Sequence, residues 1–335
     1  MQTDVVIVGA GPVGLFAAFQ CGMLGLKTHV IDTLEAIGGQ CSSLYPEKPI
    51  YDIPAYPSIT GQGLIDQLEI QAAPFKPTYH LKQQVVSLKR FPDGWEVTTD
   101  TNTKIHARGI FIAAGAGAFG PNRPPIEGLG EYEGKSIFYA VRHMQKFAGK
   151  RIVIAGGGDS AVDWALALQE IAASITVVHR RPKFRAAPDS IRKLDELVED
   201  GKIILETPYQ LDSIEGENGQ LRSIGIKSLE GDEKKIQADI LLPFFGLRME
   251  LGPIAEWGLD MSKGQIVVAP STMETNEPGI YAVGDIAQYV GKLRLILTGF
   301  SEAALAAHSL RDKLNPDQPL HFEYSTTKGV PSNNG

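Results

Sequence analysis

Residues 4–19 read DVVIVGAGPVGLFAAF, and this stretch decides the fold of the chain. A β-branched run ends at Gly9, the pattern G-x-G-x-x-G continues through Gly11 and Gly14, and an apolar, alanine-rich helix begins. Glycine lets the backbone turn this tightly and bring its amides against a pyrophosphate at a helix N-terminus. The stretch therefore predicts a strand–loop–helix unit that binds a dinucleotide.

The next expected strand, residues 28–32 (THVID), closes on a carboxylate. Asp32 lies 23 residues after Gly9, where an acid binds a ribose hydroxyl of a dinucleotide. The alternative is a glycine turn in another kind of α/β protein. The strand before the loop and the acid after it favour a dinucleotide site.

Composition sets limits on the kind of protein. The chain has 335 residues, enough for two domains, with 43% hydrophobic and 21% charged residues, as is typical of a globular protein with a full core. A net charge of −7 argues against binding to nucleic acid or to an anionic membrane. We expect no signal peptide and no membrane-spanning segment. Two cysteines cannot build a disulfide framework, so we expect a cytoplasmic protein.

The first unit continues with short alternating strands at residues 85–88, 95–99 and 104–107, and with a buried strand from Gly109 to Ala114. The pattern then starts again. Residues 150–161 (KRIVIAGGGDSA) form a second strand and glycine loop, with alanine in the place of the third glycine. A second strand at 174–178, another three-strand meander and a buried strand ending at Gly246 follow in the same order. This order indicates a duplication of a whole domain.

Beyond Gly246 a strand ends in Gly284-Asp285, and an alanine-rich helix follows to Leu314. We expect this segment to return to the first domain. The sequence thus predicts an α/β protein with two Rossmann-like dinucleotide-binding domains of the three-layer ββα type. We expect residues 118–246 to form the second of these domains, inserted in the first, which would comprise residues 1–117 and 247–335.

The two expected sites differ at one position. The residue 23 positions after Gly156 is His179, followed by Arg180 and Arg181, with Arg185 nearby. Guanidinium groups bind a ribose 2′-phosphate through paired hydrogen bonds, whereas a carboxylate repels it. An ordinary basic surface cluster is the alternative. We predict that this second site prefers NADPH.

An NADPH fold inside another dinucleotide fold is typical of a flavoprotein reductase, in which hydride passes from nicotinamide to flavin. The Gly284-Asp285 pair fits this hypothesis. Its aspartate would accept a hydrogen bond from a ribityl hydroxyl, or lie near the phosphates through water. The helix that follows would direct its N-terminal dipole toward the flavin, which favours negative charge on the reduced ring.

Over nearly its full length the chain resembles flavoproteins of the thioredoxin-reductase fold. Those enzymes carry a C-x-x-C pair before the second glycine loop, where this chain reads SIFYAVRH at residues 136–143. Cys41 stands unpaired and Cys21 lies in the first helix, so a dithiol relay is excluded. Four motifs together resemble the thioredoxin-reductase-like ferredoxin–NADP⁺ reductases: GGQ at 38–40, LYPEK at 44–48, GGGDSAVDW at 156–164 and YST at 324–326.

This resemblance implies the residues that hold each cofactor. FAD would contact Gly9, Gly11, Gly14, Asp32, Gln40, Tyr45, Val85, Phe119, Asp285 and Thr326. Tyr45 would stack on one face of the flavin, and Tyr324 would cover the other from the partner subunit of a homodimer. NADPH would contact Gly156, Gly158, Asp159, Ser160, His179, Arg180, Arg181 and Arg185.

The resemblance also implies the reaction, which is hydride transfer between NADPH and FAD and single-electron transfer between FAD and ferredoxin. We expect no catalytic acid or base and no metal. A different acceptor (a flavodoxin, a quinone or oxygen) and a non-catalytic flavin redox sensor are the alternatives. Because ferredoxins are acidic and this chain carries −7, docking would need local basic residues, and the candidates are Lys48, Lys292, Arg294 and Lys328.

Overall fold

The computed structural model describes residues 1–317 and residue 329 of the chain. Its contacts divide the chain into two compact units. Unit 1 comprises Met1–Phe119 and Met249–Gly335, and unit 2 comprises Gly120–Arg248. Both crossings lie two residues beyond the sequence-based boundaries at 117/118 and 246/247.

The elements of the described part follow in chain order. The α-helices are α1 (Pro12–Met23), α2 (Gly39–Leu44), α3 (Gly61–Ala72), α4 (Leu129–Tyr132), α5 (Asp159–Leu168), α6 (Pro188–Glu199) and α7 (Ile296–Leu314). The first nine strands are β1 (Gln2–Val8), β2 (Thr28–Ile31), β3 (Pro49–Ile50), β4 (Ile59–Thr60), β5 (Thr78–His80), β6 (Val85–Phe91), β7 (Gly94–Thr99), β8 (Lys104–Ile112) and β9 (Ala118–Pro121). The next seven are β10 (Arg151–Ala155), β11 (Ser174–Val178), β12 (Ile203–Glu206), β13 (Tyr209–Glu217), β14 (Gln220–Ser228), β15 (Glu233–Gln237) and β16 (Ile240–Pro243). The last five are β17 (Leu247–Glu250), β18 (Met261–Ser262), β19 (Gln265–Val267), β20 (Ile280–Ala282) and β21 (Ala287–Gln288).

Unit 1 is built on a seven-stranded sheet with the order β5-β2-β1-β8-β7-β6, and β20 also pairs with β8. The strands β5, β2, β1, β8 and β20 run parallel, and β7 and β6 complete an antiparallel meander. The apolar run Val5–Val8 lies fully inside the core, as expected for a parallel strand covered on both faces. Because β1 and β2 run parallel, their carboxyl ends meet at one edge of the sheet, where the glycine loop lies.

Helix α1 begins directly at the glycine loop. Gly11 is its extended N-cap, and Pro12 takes the first helical position, where its fixed φ is favourable and no amide is lost. Its buried residues are small or apolar, namely Gly14, Leu15, Ala17, Ala18 and Cys21. They allow α1 to pack closely on the sheet between α3 and α7.

Unit 2 repeats the central part of this design on a smaller scale. Its parallel sheet has the order β12-β11-β10-β16, and α5 and α6 follow β10 and β11. The meander β13-β14-β15 forms a separate antiparallel sheet. None of the helices within residues 1–317 is long and apolar enough to cross a bilayer.

Candidate dinucleotide-binding sites

Sterics explain the glycine loop of unit 1. A Cβ on Gly9, whose φ is +111°, would lie 2.4 Å from the carbonyl oxygen of Ala113, and one on Gly14 would lie 1.9 Å from the carbonyl oxygen of Gly9. Around the Cβ position of Gly11, by contrast, no described atom lies within 4 Å. The first and third glycines are thus required by packing, and the middle one borders open space. This is the arrangement that lets a pyrophosphate approach the backbone.

Asp32, which follows β2, ties the loop to the strand edge. Its Oδ2 accepts a hydrogen bond from the amide of Ala10 at 2.6 Å, and its Oδ1 accepts one from the amide of Leu34 at 2.8 Å. Burial raises the pKa of Asp32, and these backbone hydrogen bonds oppose that shift by favouring the carboxylate. The carboxylate therefore has a structural role in the loop in addition to any contact with a ribose.

A cleft opens over this loop in unit 1. Seven of the expected FAD residues line it: Gly9, Gly11, Asp32, Gln40, Tyr45, Val85 and Asp285. Gly14 lies beneath the loop rather than in the lining, and Phe119 lies in β9. Tyr324 and Thr326 fall outside the described residues.

The cleft also contains residues that the sequence analysis missed. They are Gln83, Gln84, Leu251, Pro253, Ile254, Leu295 and Ile296, among others. Most are apolar residues of ordinary appearance. Leu251, Pro253 and Ile254 come from a short 3₁₀ segment just after the chain returns from unit 2, and Leu295 and Ile296 begin α7. Nothing local in the sequence marks them, because their place depends on how the returning segment folds.

Unit 2 forms an equivalent loop. A Cβ on Gly156 would lie 2.5 Å from the carbonyl oxygen of Phe244, so this glycine is required by packing. A Cβ on Gly157 would lie 2.2 Å from the ring of His179. Gly158, the N-cap of α5, has only the Arg185 carbonyl oxygen near its Cβ position, at 3.9 Å. The open space therefore again borders the glycine that precedes the helix.

The segment after β11 folds back over this loop. The amide of Arg185 donates to the carbonyl of Gly157 at 2.7 Å, and the amide of Ala187 donates to Oδ1 of Asp159 at 2.9 Å. Asp159 and Ser160 lie exposed in the first turn of α5. The loop thus brings the predicted NADPH residues of unit 2 to one place.

The basic cluster of unit 2 surrounds His179. Burial lowers the pKa of His179, a hydrogen bond to the backbone of Lys183 opposes this shift, and the positive charges of the three nearby arginines, Arg180, Arg181 and Arg185, add to it. All three arginines are exposed, and none forms an ion pair with a carboxylate of the described residues. Their charge is therefore available to an anionic ligand.

Comparisons with known proteins agree with this geometry. A family model described as pyridine nucleotide-disulphide oxidoreductase matches residues 3–307. A ferredoxin–NADP reductase of Paramagnetospirillum magneticum is 58% identical over 331 residues, with 98% of each chain covered. One from Rhodospirillum rubrum is 56% identical over 335 residues, with 99% of this chain and 97% of the relative covered. This chain belongs to the ferredoxin–NADP reductases of the pyridine nucleotide-disulphide oxidoreductase family.

A solved structure supports the same fold. The thioredoxin reductase of T. acidophilum superposes with a TM-score of 0.77 at 26% identity, covering 93% of this chain and 99% of the other. The resemblance and the α/β fold class predicted from the sequence are thereby confirmed. The family name refers to disulphides, and this chain has two cysteines, Cys21 and Cys41.

Both cysteines are free and buried in unit 1. Burial raises the pKa of the Cys21 thiol and that of the Cys41 thiol, so neither is a thiolate near neutral pH. The Cys41 Sγ lies 3.6 Å from the hydroxyl oxygen of Tyr45, whose pKa burial also raises. Cys41 thus lies in the cleft as a neutral neighbour of Tyr45. Residues 1–317 contain no group of three or more metal-binding side chains.

One of the candidate docking lysines is placed differently from its prediction. Lys292 is not a surface residue, because its side chain is only 3% exposed and its Nζ donates to Oε1 of the buried Glu302 at 2.5 Å. A buried carboxylate needs a cation beside it, which explains this location. Arg294 is exposed and donates to Oε1 of Gln265, Lys48 is half-buried, and Lys328 lies outside the described residues.

Proposed function

We propose that this chain is an FAD enzyme that transfers electrons between NADPH and a ferredoxin. One observation carries the proposal. Two loops of the same construction hold opposite charges at equivalent positions, with the carboxylate of Asp32 in unit 1 and three guanidinium groups around His179 in unit 2. A protein with this pair of sites is suited to two different dinucleotides, of which only the second carries a 2′-phosphate.

In this proposal FAD occupies the cleft of unit 1. The open space at Gly11 fits a pyrophosphate, and Asp32, Gln40, Tyr45, Val85 and Asp285 line the same cleft. Tyr45 stacks on the flavin. The proposal keeps the expectation from the sequence that Phe119 and Thr326 contact FAD and that Tyr324 covers the other face of the flavin. Bound FAD supplies the redox chemistry, since it exchanges hydride with a nicotinamide and single electrons with an iron–sulfur protein.

NADPH occupies the loop of unit 2. The amides of Gly158 and of the start of α5 receive the pyrophosphate, and Asp159 and Ser160 border it. Gly156 shapes the turn, since its own amide donates to the carbonyl oxygen of Val178 at 3.0 Å. The guanidinium groups of Arg180, Arg181 and Arg185 bind the 2′-phosphate. His179, neutral at pH 7 because of its lowered pKa, packs on Gly157 and holds the loop rather than adding charge.

Ferredoxin is the acceptor that the relatives favour, since proteins named ferredoxin–NADP reductase cover nearly this whole chain. The lack of a C-x-x-C pair supports this assignment over a dithiol acceptor. A flavodoxin, a quinone or oxygen would each appear as an alternative in side-by-side acceptor assays.

Assembly as a homodimer and a cytoplasmic location belong to the same proposal. Unit 1 carries an apolar groove lined by Phe16, Ile53, Leu64, Leu68 and Phe300, with Ile70 64% exposed at its rim. This surface is suited to a second copy of the chain. Light scattering of the wild type and of Ile70→Asp would test the dimer.

The cytoplasmic location is proposed because two unpaired cysteines are typical of a reducing compartment.

The function is tested by cofactor release and turnover. Denatured protein should release FAD rather than FMN, and ferredoxin reduction should proceed with NADPH far better than with NADH. Ferredoxin turnover should also fall as salt rises, because steering between opposite local charges is screened within roughly 10 Å at 0.1 M ionic strength. Release of FMN alone would refute the FAD site. Turnover with another acceptor but with no ferredoxin would refute only the choice of partner.

A further inference from the structure

Glu302 is a carboxylate buried in the middle of α7, with a side chain only 2% exposed. Its Oε2 accepts a hydrogen bond from the amide of Gly284 at 2.7 Å. Its Oε1 accepts one from the hydroxyl of Tyr289 at 2.6 Å and one from Nζ of Lys292 at 2.5 Å. Both oxygens are therefore engaged, and all the partners come from the segment that precedes α7.

These contacts lie directly behind the wall of the cleft. Gly284, with a φ of +77°, and Asp285 both line the cleft, whereas Glu302 and Lys292 do not. Glu302 fixes the turn through the amide of Gly284, and Nε2 of Gln265 holds it from the other side through the carbonyl of Asp285 at 2.5 Å. The Asp285 carboxylate is thus presented by a backbone that two buried side chains hold in place.

Charge explains why a lysine accompanies Glu302. An isolated buried carboxylate is strongly unfavourable, and a paired cation with further hydrogen bonds offsets that cost. The side chain of Lys292 is itself 3% exposed, so the pair lies away from solvent. Screening by salt is weak there, and a change of either charge would reach the cleft through a medium of low dielectric constant.

We propose that Glu302 is a positioning residue for FAD, because it fixes the Gly284–Asp285 turn. Lys292 balances the charge of Glu302 and so maintains the electrostatic potential in the cleft. This inference rests on the proposed function of unit 1 as the FAD site. It assigns a role to two residues that do not touch the cleft and that no sequence motif marks.

The positional part is tested by FAD affinity, measured by flavin fluorescence on protein stripped of FAD. Glu302→Leu removes the acceptor for the Gly284 amide and should weaken FAD binding at least about tenfold. Glu302→Gln keeps a carbonyl oxygen at that place and should weaken it much less. Binding of 2′,5′-ADP, which probes unit 2, should be unchanged in both variants and reports that the protein is folded.

Glu274 offers a matched control in the same unit. Its Oε1 also accepts from a glycine amide, that of Gly279 at 2.7 Å, and from a lysine, Lys313 at 2.5 Å, but this pair is partly exposed and away from the cleft. Glu274→Leu removes that acceptor in the same way and should leave FAD affinity unchanged. An equal loss in Glu274→Leu and Glu302→Leu would overturn the positional role.

The charge part is tested by the midpoint potential of the bound flavin. Glu302→Gln leaves the ammonium of Lys292 unbalanced, so the potential should rise, since a positive charge favours the reduced, anionic flavin. Adding Lys292→Met removes that cation, and the potential should return toward the wild-type value. If the two residues had only a structural role, the midpoint potential of the double variant would move further from the wild-type value instead of returning toward it.

The outcomes separate this inference from the proposed function. If the wild type binds no FAD, the proposed function fails. If the wild type binds FAD but Glu302→Leu binds it within about twofold of the wild type, Glu302 has no positioning role. If the potential does not recover in the double variant, Lys292 does not balance the charge of the cleft.

Discussion

Units 1 and 2 have the same backbone arrangement at the edge of the sheet, but they carry side chains of opposite charge there. In unit 1 the amide of Asp32 donates to the carbonyl of His80 at 3.0 Å. In unit 2 the amide of His179 donates to the carbonyl of Glu206 at 3.1 Å. The acid and the histidine are therefore equivalent residues, held by the same bond to the next strand.

The segments that follow are equivalent as well. The amide of Gly38 donates to the carbonyl of Ala10 at 2.8 Å, and the amide of Arg185 donates to the carbonyl of Gly157 at 2.7 Å. Arg185 thus occupies the place that a glycine of the GGQ motif occupies in unit 1. Because the same main-chain bonds form in both units, the side chains at these positions can differ between the units, and ligand choice can change without a change of fold.

The largest effect is expected at the basic cluster of unit 2. In Arg180→Ala/Arg181→Ala, kcat/KM for NADPH should fall. The corresponding loss of transition-state stabilisation should be on the order of 2–4 kcal/mol, because charge-assisted hydrogen bonds contribute roughly 1.5–3 kcal/mol each without full additivity. The value for NADH should change little. Steady-state kinetics with both nucleotides measure the ratio.

Arg222 provides the control for this comparison, since it lies in unit 2 and pairs with Glu217 on an exposed surface. Arg222→Ala should keep the nucleotide preference. A double arginine variant that still prefers NADPH as strongly as the wild type would show that the contrast between the units has another origin.

The third position of the two loops should respond next most strongly. Gly14→Ala places a methyl group 1.9 Å from the carbonyl oxygen of Gly9, so we expect a loss of about 1–3 kcal/mol in the free energy of unfolding. Ala161→Gly, at the equivalent place in unit 2, should cost only about 0.5–1 kcal/mol through backbone entropy. Urea unfolding of both variants measures the difference. Equal losses would mean that the two loops pack alike.

A smaller difference concerns pH. In unit 1, Nδ1 of His29 lies 2.9 Å from Nε2 of His80, and burial lowers the pKa of both rings. The charge of His80 lowers the pKa of His29 further. Unit 2 has Thr176 and Glu206 at the equivalent places. Below the unfolded pKa of about 6.5 the unfolded chain binds more protons than the folded one, so this stabilisation is lost as pH falls.

The measurement is the melting temperature between pH 8 and pH 5. His29→Gln should flatten the decline on the acidic side by a few degrees, while His106→Gln, which removes another histidine of unit 1, should not. A wild-type melting temperature that rises toward pH 5 would contradict the assignment.

The smallest effect is expected from the cysteines, which both lie in unit 1. Because Cys21 and Cys41 are buried thiols with raised pKa values, a Cys21→Ala/Cys41→Ala variant should keep its NADPH-driven reduction of ferricyanide per bound FAD. Thioredoxin should not be reduced by either form. A loss of turnover at normal FAD content would reveal a thiol step.

The sequence alone determined the features that depend on short stretches. The two glycine loops, the alternation of strands and helices, the acid at Asp32 and the arginines after His179 were all readable, because local sterics and side-chain charge act within a few residues. The family resemblance and the fold class predicted from these motifs are confirmed. The individual cofactor contacts stay predictions.

Tertiary structure decided what depends on distant partners. The sequence predicted separate strands at 104–107 and 109–114, but β8 is one strand, since residues 104–107 pair with β7 and residues 110–112 pair with β20 on the same side. Lys292 was expected on the surface and is buried, because Glu302 lies beside it only once α7 has packed. The identity of a residue gives its charge, whereas burial and the available partner are set by segments far away in the chain, and those decide whether the charge faces a ligand or supports a turn.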